Sequence, residues 1–565
     1  MNVLAAEVCV PHTSRALSLS ANLTCCPGLK IPCTLDRVIQ KRGRKPASAS
    51  SPSHGLSQES STRNYPVLNC LRSAGVCHSD AGSPLTEASS LCSLNTASRL
   101  LDHFFSSPNQ EWHTRLIRKR NLLSFTHPRP TSPALLCSIL CMACYMPNPD
   151  KSPILPEMSN GQFVALRRGF LSRTLKMIQP ALLGDVEPSL DDGFTSYFLT
   201  SIGPSEDETE SNMAQWLLFM KLNAKKLNLN IDVVDANEEE KEERRRLWWA
   251  IYIIDRHAAL SFNSRTQLTD LECSQLPRPC PDELWSTDVS LEDFKVQRLA
   301  NNDMPGVTYT VNSIDMFGIL LPISSILGDI LEFHFIRQHP TFGSNLNLLM
   351  SVRGNIETNL LAWQQTLAGH LVRLGLTSGA PVNEPAEGFE RKIVLYGRHL
   401  YHCMHVLLYG AMDLVQMYRD HEWQTSPDFL RAAEHANNCA EISGQILVAD
   451  PRLHYMYRYF GTYFLQSSFI FLILAQKLGN AADDLIIKNC TINLQALEAF
   501  VQISNISYQR TFAGILRKTL LDRSQSSEPA QDLESTALKG MDEAILPYRW
   551  VAGSNGLWGI TMKPS

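Results

Sequence analysis

The sequence predicts an all-α protein, with a large helical domain preceded by a largely disordered N-terminal region. Apolar residues recur at helical spacing through most of residues 131–521, whereas the alternating patterns typical of β-strands are scarce. Residues 37–130 are instead dominated by Ser, Pro, Thr, Asn and basic side chains without sustained periodicity. With 565 residues, of which 44% are hydrophobic, the chain is long enough to bury a sizeable core.

Composition divides the chain into four parts. Residues 1–46 contain scattered cysteines and a basic stretch, and residues 47–130 predict a disordered linker. Residues 131–521 predict the helical domain, and residues 522–565 a mobile tail with a short ordered end. Within the helical domain, apolar spacing predicts helices over 133–145, 161–183, 211–229, 238–260, 311–337, 354–373, 391–419, 427–448, 455–478 and 488–521.

Charge and cysteine usage bound the class of protein. A net charge of −5 argues against a surface that coats nucleic acid, so any DNA contact must come from a local basic element. The fifteen cysteines have no repeating spacing, and the N-terminus lacks a basic-then-apolar leader, which favours reduced thiols in the cytosol or nucleus. Residues 459–478 imitate a membrane span, but their Gln and Ser residues favour a buried core helix, so no membrane partner is expected.

The run EEEKEERRRLWWAIYIIDRHAAL, residues 238–260, predicts the central helix. Its first turn carries three glutamates, which the positive end of the helix dipole favours. Glu242 and Arg246, like Glu240 and Arg244, have the acid-first i,i+4 order that supports an exposed helix start. Beyond Arg246 the helix is apolar on nearly every side, which predicts burial at the centre of the domain.

Residues 244–285 also carry a family resemblance. A basic run, a Trp pair, a Tyr-x-x-Asp-Arg core, an Asn-Ser-Arg turn and a Pro-rich loop follow one another in this stretch. That order resembles the regulatory domain of fungal binuclear zinc-cluster transcription factors, especially the xylanolytic activators; residues 459–479, 508–521 and 548–558 support this branch. The residues that carry the core signature are Arg245, Arg246, Trp248, Trp249, Tyr252, Asp255 and Arg256.

The resemblance implies a function and partners. It implies a nuclear transcription regulator of genes for xylan or carbohydrate metabolism, with DNA, other regulators or a second copy of the chain as partners. It also implies a helical domain that responds to an inducer, with a sugar as the plausible class. Trp248 and Trp249 could line such an inducer pocket, although packing in the core is the favoured interpretation.

The DNA-binding element of that family is incomplete in this sequence. The family's module packs six cysteines around two zinc ions, and Cys26 and Cys33 have the spacing of its last two ligands. The position three residues before Cys26 is Leu23, where the pattern requires cysteine. Two ligands cannot hold a two-zinc cluster, so zinc is expected in the intact family but not in this chain.

A basic stretch follows these cysteines. Lys41, Arg42, Arg44 and Lys45 could contact DNA phosphates without sequence specificity, act as a nuclear-import signal, or lie in a solvated linker. Two functions therefore remain open: a regulator that still acts at promoters, and a DNA-binding-deficient module that pairs with intact relatives.

Other candidate sites have a structural interpretation. His399, His402 and His405, with Cys403, suggest a metal site, but their apolar neighbours favour packed, hydrogen-bonded histidines. Cys137, Cys141 and Cys144 lie on an apolar segment and favour buried thiols. Asp255, Arg256 and His257 are consecutive on a helix, so their side chains cannot converge on one substrate atom. No phosphate-binding loop or nucleophile motif is present, and the chain is not expected to be an enzyme.

Overall fold

Helices form nearly all of the regular structure in the computed structural model. The model describes residues 64–79, 90–106, 111–146, 152–202, 210–287, 289–300, 304–375, 389–455, 460–478, 484–504, 506–525, 543–551 and 557. The long helices are α1 (Leu94–Ser106), α2 (Pro133–Tyr145), α3 (Asn160–Leu183), α4 (Leu190–Ile202), α5 (Glu210–Lys226), α6 (Glu238–Ser261), α7 (Leu291–Ala300), α8 (Met316–Gln338), α9 (Leu346–Arg373), α10 (Phe389–Tyr409), α11 (Pro427–Ala449), α12 (Gly461–Leu478), α13 (Asp484–Ser504) and α14 (Ser507–Gln525).

Short elements connect these helices. The described residues contain one small parallel sheet, in which β1 (Cys77–His78) pairs with β2 (Cys92–Ser93). The short helices are Pro66–Leu68, Asn69–Ser73, Glu111–Thr114, Lys119–Leu122, Leu271–Cys273, Asp282–Ser286, Leu414–Arg419 and His421–Gln424. The sequence-based prediction of an all-α domain is confirmed.

Consecutive helices mostly pack against one another. In the first part of the described chain α2 contacts α1, α3 and α4, and α4 contacts α5. Helix α6 packs on α8, which in turn contacts α9 and α10. The remaining helices form a bundle in which α11 packs between α10 and α13, and α12 and α14 complete it. Helix α6 thus lies between the first helices and the final bundle.

The predicted linker over residues 47–130 is wrong for the part of it that the structure describes. Helix α1 buries Leu100, Leu101 and Phe104 at 0–1% exposure within the same core as the later helices. These residues form a short apolar stripe at helical spacing, which the surrounding Ser- and Asn-rich composition obscured. The helical body therefore begins before residue 131, while the predicted disorder of residues 1–63 lies outside the described residues.

Helix α4 was also missed, because its sequence is rich in Ser and Thr. Every residue from Gly193 to Ile202 is buried. Thr195 and Thr200 satisfy their hydroxyls by donating to the carbonyls of Asp191 and Ser196, at 2.7 and 2.9 Å. Hydroxyl groups that bond back to the preceding turn can be buried at little cost, so a polar composition did not exclude a core helix.

The other predicted helices are present with adjusted ends. Helix α8 begins at Met316 because the side chain of Asp315 caps it by accepting from the amide of Gly318 at 2.8 Å. The predicted helix 391–419 ends as α10 at Tyr409, and a new helix starts at Leu414. The predicted helix 488–521 is divided into α13 and α14.

Two helices are apolar enough to deserve comparison with membrane spans. Helix α8 is long and apolar enough to cross a bilayer, but 89% of its most apolar window is buried inside the protein. Helix α12 lies in the segment that resembled a span in the sequence, and its Ser467 and Ser468 are fully buried. Burial of this kind is what a core helix shows, and a core helix meets the same composition test.

The segment 543–551 closes the fold. Tyr548 donates through its hydroxyl to the carbonyl of Tyr508 on α14, at 2.8 Å, and its own carbonyl accepts from Leu414. The ring of Trp550 lies 4.8 Å from that of Phe335 on α8. This final segment is therefore packed against helices that are distant in sequence.

Candidate functional site

Helix α6 carries the signature residues through the centre of the protein. Asn237 caps the helix by accepting from the amide of Glu240 at 2.9 Å. Trp248 and Trp249 are fully buried, and the indole of Trp249 donates to the carbonyl of Pro277 at 3.0 Å. Tyr252 is also buried and donates to the carboxylate of Asp270 at 2.7 Å. The predicted burial beyond Arg246 is confirmed.

The prediction of an exposed helix start is confirmed for Glu240 but wrong for Glu242 and Arg246. Glu242 and Arg246 form the predicted i,i+4 pair at 3.1 Å, but both side chains are completely buried. Arg246 also reaches Asp282 at 2.6 Å, and Arg298 reaches Glu242 at 3.1 Å. Arg245 bonds to Asp232 and lies 3.5 Å from Glu242. Arg245 and Arg246 can be buried because Glu242, on the same helix, and Asp232 and Asp282, from other segments, pair with them.

We refer to Glu242, Arg245, Arg246, Asp232, Asp282 and Arg298 as the arginine network. It contains three guanidinium groups and three carboxylates, so its formal charges balance. Arg246 gains two further acceptors, the carbonyl of Cys280 at 2.6 Å and that of Arg115 at 3.0 Å. Buried charges are tolerated when they are paired and their donors are satisfied in this way.

The two buried carboxyl groups of Glu242 and Asp282 differ in the direction of their pKa shifts. Burial alone would raise the pKa of Glu242, but Arg298, Arg246 and Arg245 hold it below its usual value. Burial, together with the nearby negative charge of Asp315, raises the pKa of Asp282 to about 6. Arg246 opposes this shift. Glu242 is therefore the firmly ionised centre of the network.

A second set of ion pairs fastens residues 115–131 to the same helix. Arg118, which is 2% exposed, bonds to Glu239 and donates to the carbonyls of Trp285 and Thr287 at 3.3 and 3.0 Å. Arg129 bonds to Glu243 at 2.9 Å and to Asp191 on α4 at 2.7 Å. The segment that precedes α2 is therefore anchored to the first turns of α6. Arg118 and Arg129 were missed in the sequence because no short spacing links them to partners that are 62 to 169 positions away.

At the far end of α6, Asp255 and Arg256 lie 3.4 Å apart and both bond to the following loop, whereas His257 bonds to other helices. Asp255 accepts from Lys221 on α5 at 3.1 Å and from the backbone amides of Gln267 and Leu268. The side chain of Arg256 lies over the ring of Tyr252 and pairs with Asp270 at 2.7 Å.

His257 completes this set by bonding to Tyr463 on α12, with Ser324 on α8 lying 3.3 Å away. Burial lowers the pKa of His257 to about 3, so its ring is neutral. These contacts agree with the sequence-based argument that the three side chains do not converge. They connect α6 to α5, α8 and α12 instead.

Two cavities of ligand size are lined by residues that the structure describes. One, of about 410 Å³, lies beside the arginine network and is lined by Phe105, Ser106, Thr114, Arg115, Ile117, Arg118, Lys119, Arg120, Trp285 and Ser286. The other, of about 480 Å³, lies between α8 and α9. Trp248 and Trp249 line neither of these two cavities and are fully buried, which agrees with the favoured interpretation of core packing.

The histidine cluster is packed as predicted, but the predicted hydrogen bonding is wrong for His399 and His405, whose ring nitrogens have no partner in the described structure. His402 and His435 are hydrogen-bonded through their Nδ1 atoms at 2.9 Å, and the ring of His405 stacks on His435 at 4.0 Å. His399 is fully buried against Phe464. Within the described ranges, no group of three His, Cys, Asp or Glu side chains has the arrangement of a metal site.

The thiols on α2 are also buried. Cys137 and Cys141 are fully buried, Cys144 is 6% exposed, and the thiol of Cys141 lies 3.6 Å from the carbonyl of Arg167. Burial raises the pKa of Cys144 to about 12, which keeps the thiol protonated. The candidate zinc ligands Cys26 and Cys33 and the basic residues Lys41, Arg42, Arg44 and Lys45 lie outside the described residues.

Comparisons with known proteins place this geometry in context. Residues 212–371, which include α6, α7, α8 and most of α9, match the family model described as the fungal specific transcription factor domain. The chain is 26% identical to the xylanolytic transcriptional activator xlnR of Aspergillus clavatus, and 27% identical to those of Aspergillus niger and Emericella nidulans. Each similarity covers 91% of this chain but only 61%, 63% and 66% of the relative, respectively. No solved structure matches the chain.

Proposed function

We propose that this chain, a relative of the fungal zinc-cluster transcription regulators that carries their fungal specific transcription factor domain, regulates transcription by RNA polymerase II in the nucleus. The observation that carries the proposal is the similarity over 91% of the chain to proteins named xylanolytic transcriptional activators. Its target genes, by the same reasoning, are those of xylan or related carbohydrate metabolism. The helical domain is the part that responds to an inducer.

The polar contacts at the two ends of α6 suggest how such a domain passes on a signal. Arg118 and Arg129 fasten the segment before α2 to the start of α6, whereas His257 and Asp255 fasten the end of α6 to α5, α8 and α12. A shift of α6 along its axis would therefore disturb the contacts at both of its ends. Closely packed, ion-paired elements have few intermediate arrangements, which favours a switch between two states.

A second function is favoured by a specific observation in the sequence. Only Cys26 and Cys33 are in register with the six-cysteine pattern. In this alternative the chain pairs with intact zinc-cluster regulators, or with a second copy, and modulates them without reading DNA itself.

Reporter assays separate the proposed function from no regulatory function. The full chain would be fused to an unrelated DNA-binding domain and tested on a reporter in a fungal host grown with or without xylan sugars. We expect reporter expression to depend on the carbon source. Expression equal to that of the unfused DNA-binding domain under every condition would refute the proposed regulation.

A gel-shift experiment separates the two alternatives. The full chain and a variant lacking residues 1–46 would be compared on the same DNA at two salt concentrations. Loss of binding on deletion, with strong salt dependence, would support promoter contacts through Lys41, Arg42, Arg44 and Lys45. Equal binding by both chains would favour the interaction module.

A further inference from the structure

The cavity between α8 and α9 has the chemistry of a ligand site. Its volume of about 480 Å³ falls within the range of small-molecule pockets, roughly 300–1,000 Å³. All of its lining residues lie inside the matched transcription factor domain. They are Tyr309, Asp329, Glu332, Phe333, Ile336, Val352, Asn355, Ile356, Thr358 and Asn359.

One wall of the cavity is polar and rich in groups that both donate and accept. The carboxyl of Asp329 hydrogen-bonds to the hydroxyl of Tyr309 and to the side-chain amide of Asn359. Asn355 and Thr358 add an amide and a hydroxyl at the exposed mouth. Closely spaced carboxyl, amide and hydroxyl groups match the donors and acceptors of adjacent hydroxyls on a ligand.

The cavity is also lined by apolar side chains. Phe333 and Ile356 are buried, and Ile336 and Val352 are partly exposed to solvent. Apolar lining with a few placed polar groups is the usual composition of a small-molecule site. It suits a ligand that has both a carbon skeleton and hydroxyl groups.

The charges of the cavity disfavour an anionic ligand. Its charged lining residues are the acids Asp329 and Glu332, so an anion such as a phosphorylated metabolite would be repelled. A cation gains less here than two free carboxylates would offer, because Glu332 already pairs with Arg265 at 2.9 Å. In addition, burial raises the pKa of Asp329 to about 6, while hydrogen bonds from Tyr309 and Asn359 oppose that shift.

We infer that this cavity binds a neutral, polyhydroxylated small molecule of monosaccharide size, and that it is the inducer site of the domain. The inference rests on the proposed regulatory function, which it makes specific. Asp329, which lines the cavity, follows Gly328, and Gly328 lies against the central helix. A Cβ added at Gly328 would be 3.4 Å from the Nε of Arg256. A ligand bonded to Asp329 would therefore act on Arg256, which pairs with Asp270 and stacks on Tyr252.

Calorimetric titration of the full chain tests the site. The probes are D-xylose as a neutral sugar, D-glucosamine as a cationic sugar and D-xylonate as an anionic sugar acid. The variants Tyr309→Phe and Asp329→Asn remove one hydroxyl and one charge from the cavity with little change of shape. The matched control is Tyr401→Phe, which removes a hydroxyl bonded to Gln364 at 2.9 Å outside the cavity.

We expect D-xylose to bind the native chain and Tyr401→Phe equally, and each cavity variant about tenfold more weakly, since each loses a hydrogen bond to the ligand. Glucosamine and xylonate should bind at least tenfold more weakly than xylose. The inference is overturned if no neutral sugar binds, if a charged probe binds best, or if the cavity variants bind like the control. Carbon-source-dependent reporter expression that persists in both cavity variants would overturn this site while leaving the proposed regulation intact.

Discussion

Replacing Arg246 by Met tests whether the arginine network holds the central helix in place. The side chain is fully buried and bonds to Glu242, Asp282 and the carbonyls of Cys280 and Arg115. Methionine fills a similar volume but leaves those acceptors without their donor. Removing one partner of a buried ion pair costs about 3–5 kcal/mol, so we expect a loss of that size in the free energy of unfolding.

The loss should fall mainly on Asp282. Glu242 keeps Arg298 and Arg245, whereas Asp282 loses the guanidinium that lies 2.6 Å from it. Arg246→Lys should therefore lose less than Arg246→Met, because an ammonium can still meet one carboxylate but cannot bridge two. It also provides a folded variant if the Met variant cannot be purified.

Urea unfolding of the full chain, followed by circular dichroism, measures these changes. The matched control is Arg517→Met, which breaks an ion pair with Glu498 in which Arg517 is half exposed. Exposed pairs of this kind contribute up to about 1 kcal/mol. If Arg246→Met and Arg517→Met lowered stability equally, the network would not have the role that its burial indicates.

Three further predictions concern single side chains, each measured by the same unfolding experiment. Asp329→Asn should gain stability relative to the native chain as the pH rises from about 4 to 6, by on the order of 1–3 kcal/mol. Burial raises the folded-state pKa of Asp329 to about 6, whereas an Asp in the unfolded chain has a pKa of about 4. The native chain therefore loses stability as the pH rises between these two values, and Asn removes this loss. His405→Phe should stabilise the protein by about 1 kcal/mol at pH 7, because neither ring nitrogen of this buried side chain has a partner in the described structure. Because burial lowers the pKa of His405 to about 2, the unfolded chain takes up the proton first and stability falls below pH 6.5; the Phe variant should lose less there. Gly461→Ala should destabilise the protein by about 1–3 kcal/mol, since its Cβ would lie 2.3 Å from the ring of the buried Phe500.

Each of these predictions has an outcome that would contradict it. An Asp329→Asn variant whose stability difference from the native chain is constant between pH 4 and 7 would show that the native carboxyl is not destabilised by ionisation. For His405→Phe, the control is the exposed His127→Phe, and equal acid sensitivity of the two would contradict the assignment. For Gly461→Ala, the control is Gly161→Ala, where a Cβ meets nothing within 4 Å. Equal stability of these two variants would contradict the predicted clash with Phe500.

Much of the fold could be predicted because its signals are local. The apolar surroundings of Trp248 and Trp249 indicated a central helix, and the spacing of Glu242 and Arg246 indicated an ion pair. The burial of that pair could not be predicted, because it depends on Asp282 and Arg298, which a loop brings from 36 and 52 positions beyond Arg246.

The cavity between α8 and α9 illustrates the same limit. Tyr309 lies in a loop, Asp329 on one helix and Asn359 on the next, and no short motif joins them. Helix α1 was not predicted for a different reason. Composition was judged over the whole polar region, which concealed the apolar stripe of this thirteen-residue helix. Short windows of periodicity, applied within polar regions, would have found it.

The packing of residues 543–551 has a consequence for how the protein is made. Ribosomes release this segment after every helix to which it bonds, and Ile545, Tyr548 and Trp550 then fill positions in an otherwise assembled core. Until that moment the nascent chain exposes the apolar surfaces of α8 and α14 that this segment contacts, and exposed surfaces of this kind favour aggregation. A chain that ended before residue 543 would keep these surfaces exposed, so we expect it to accumulate to a lower level in the cell.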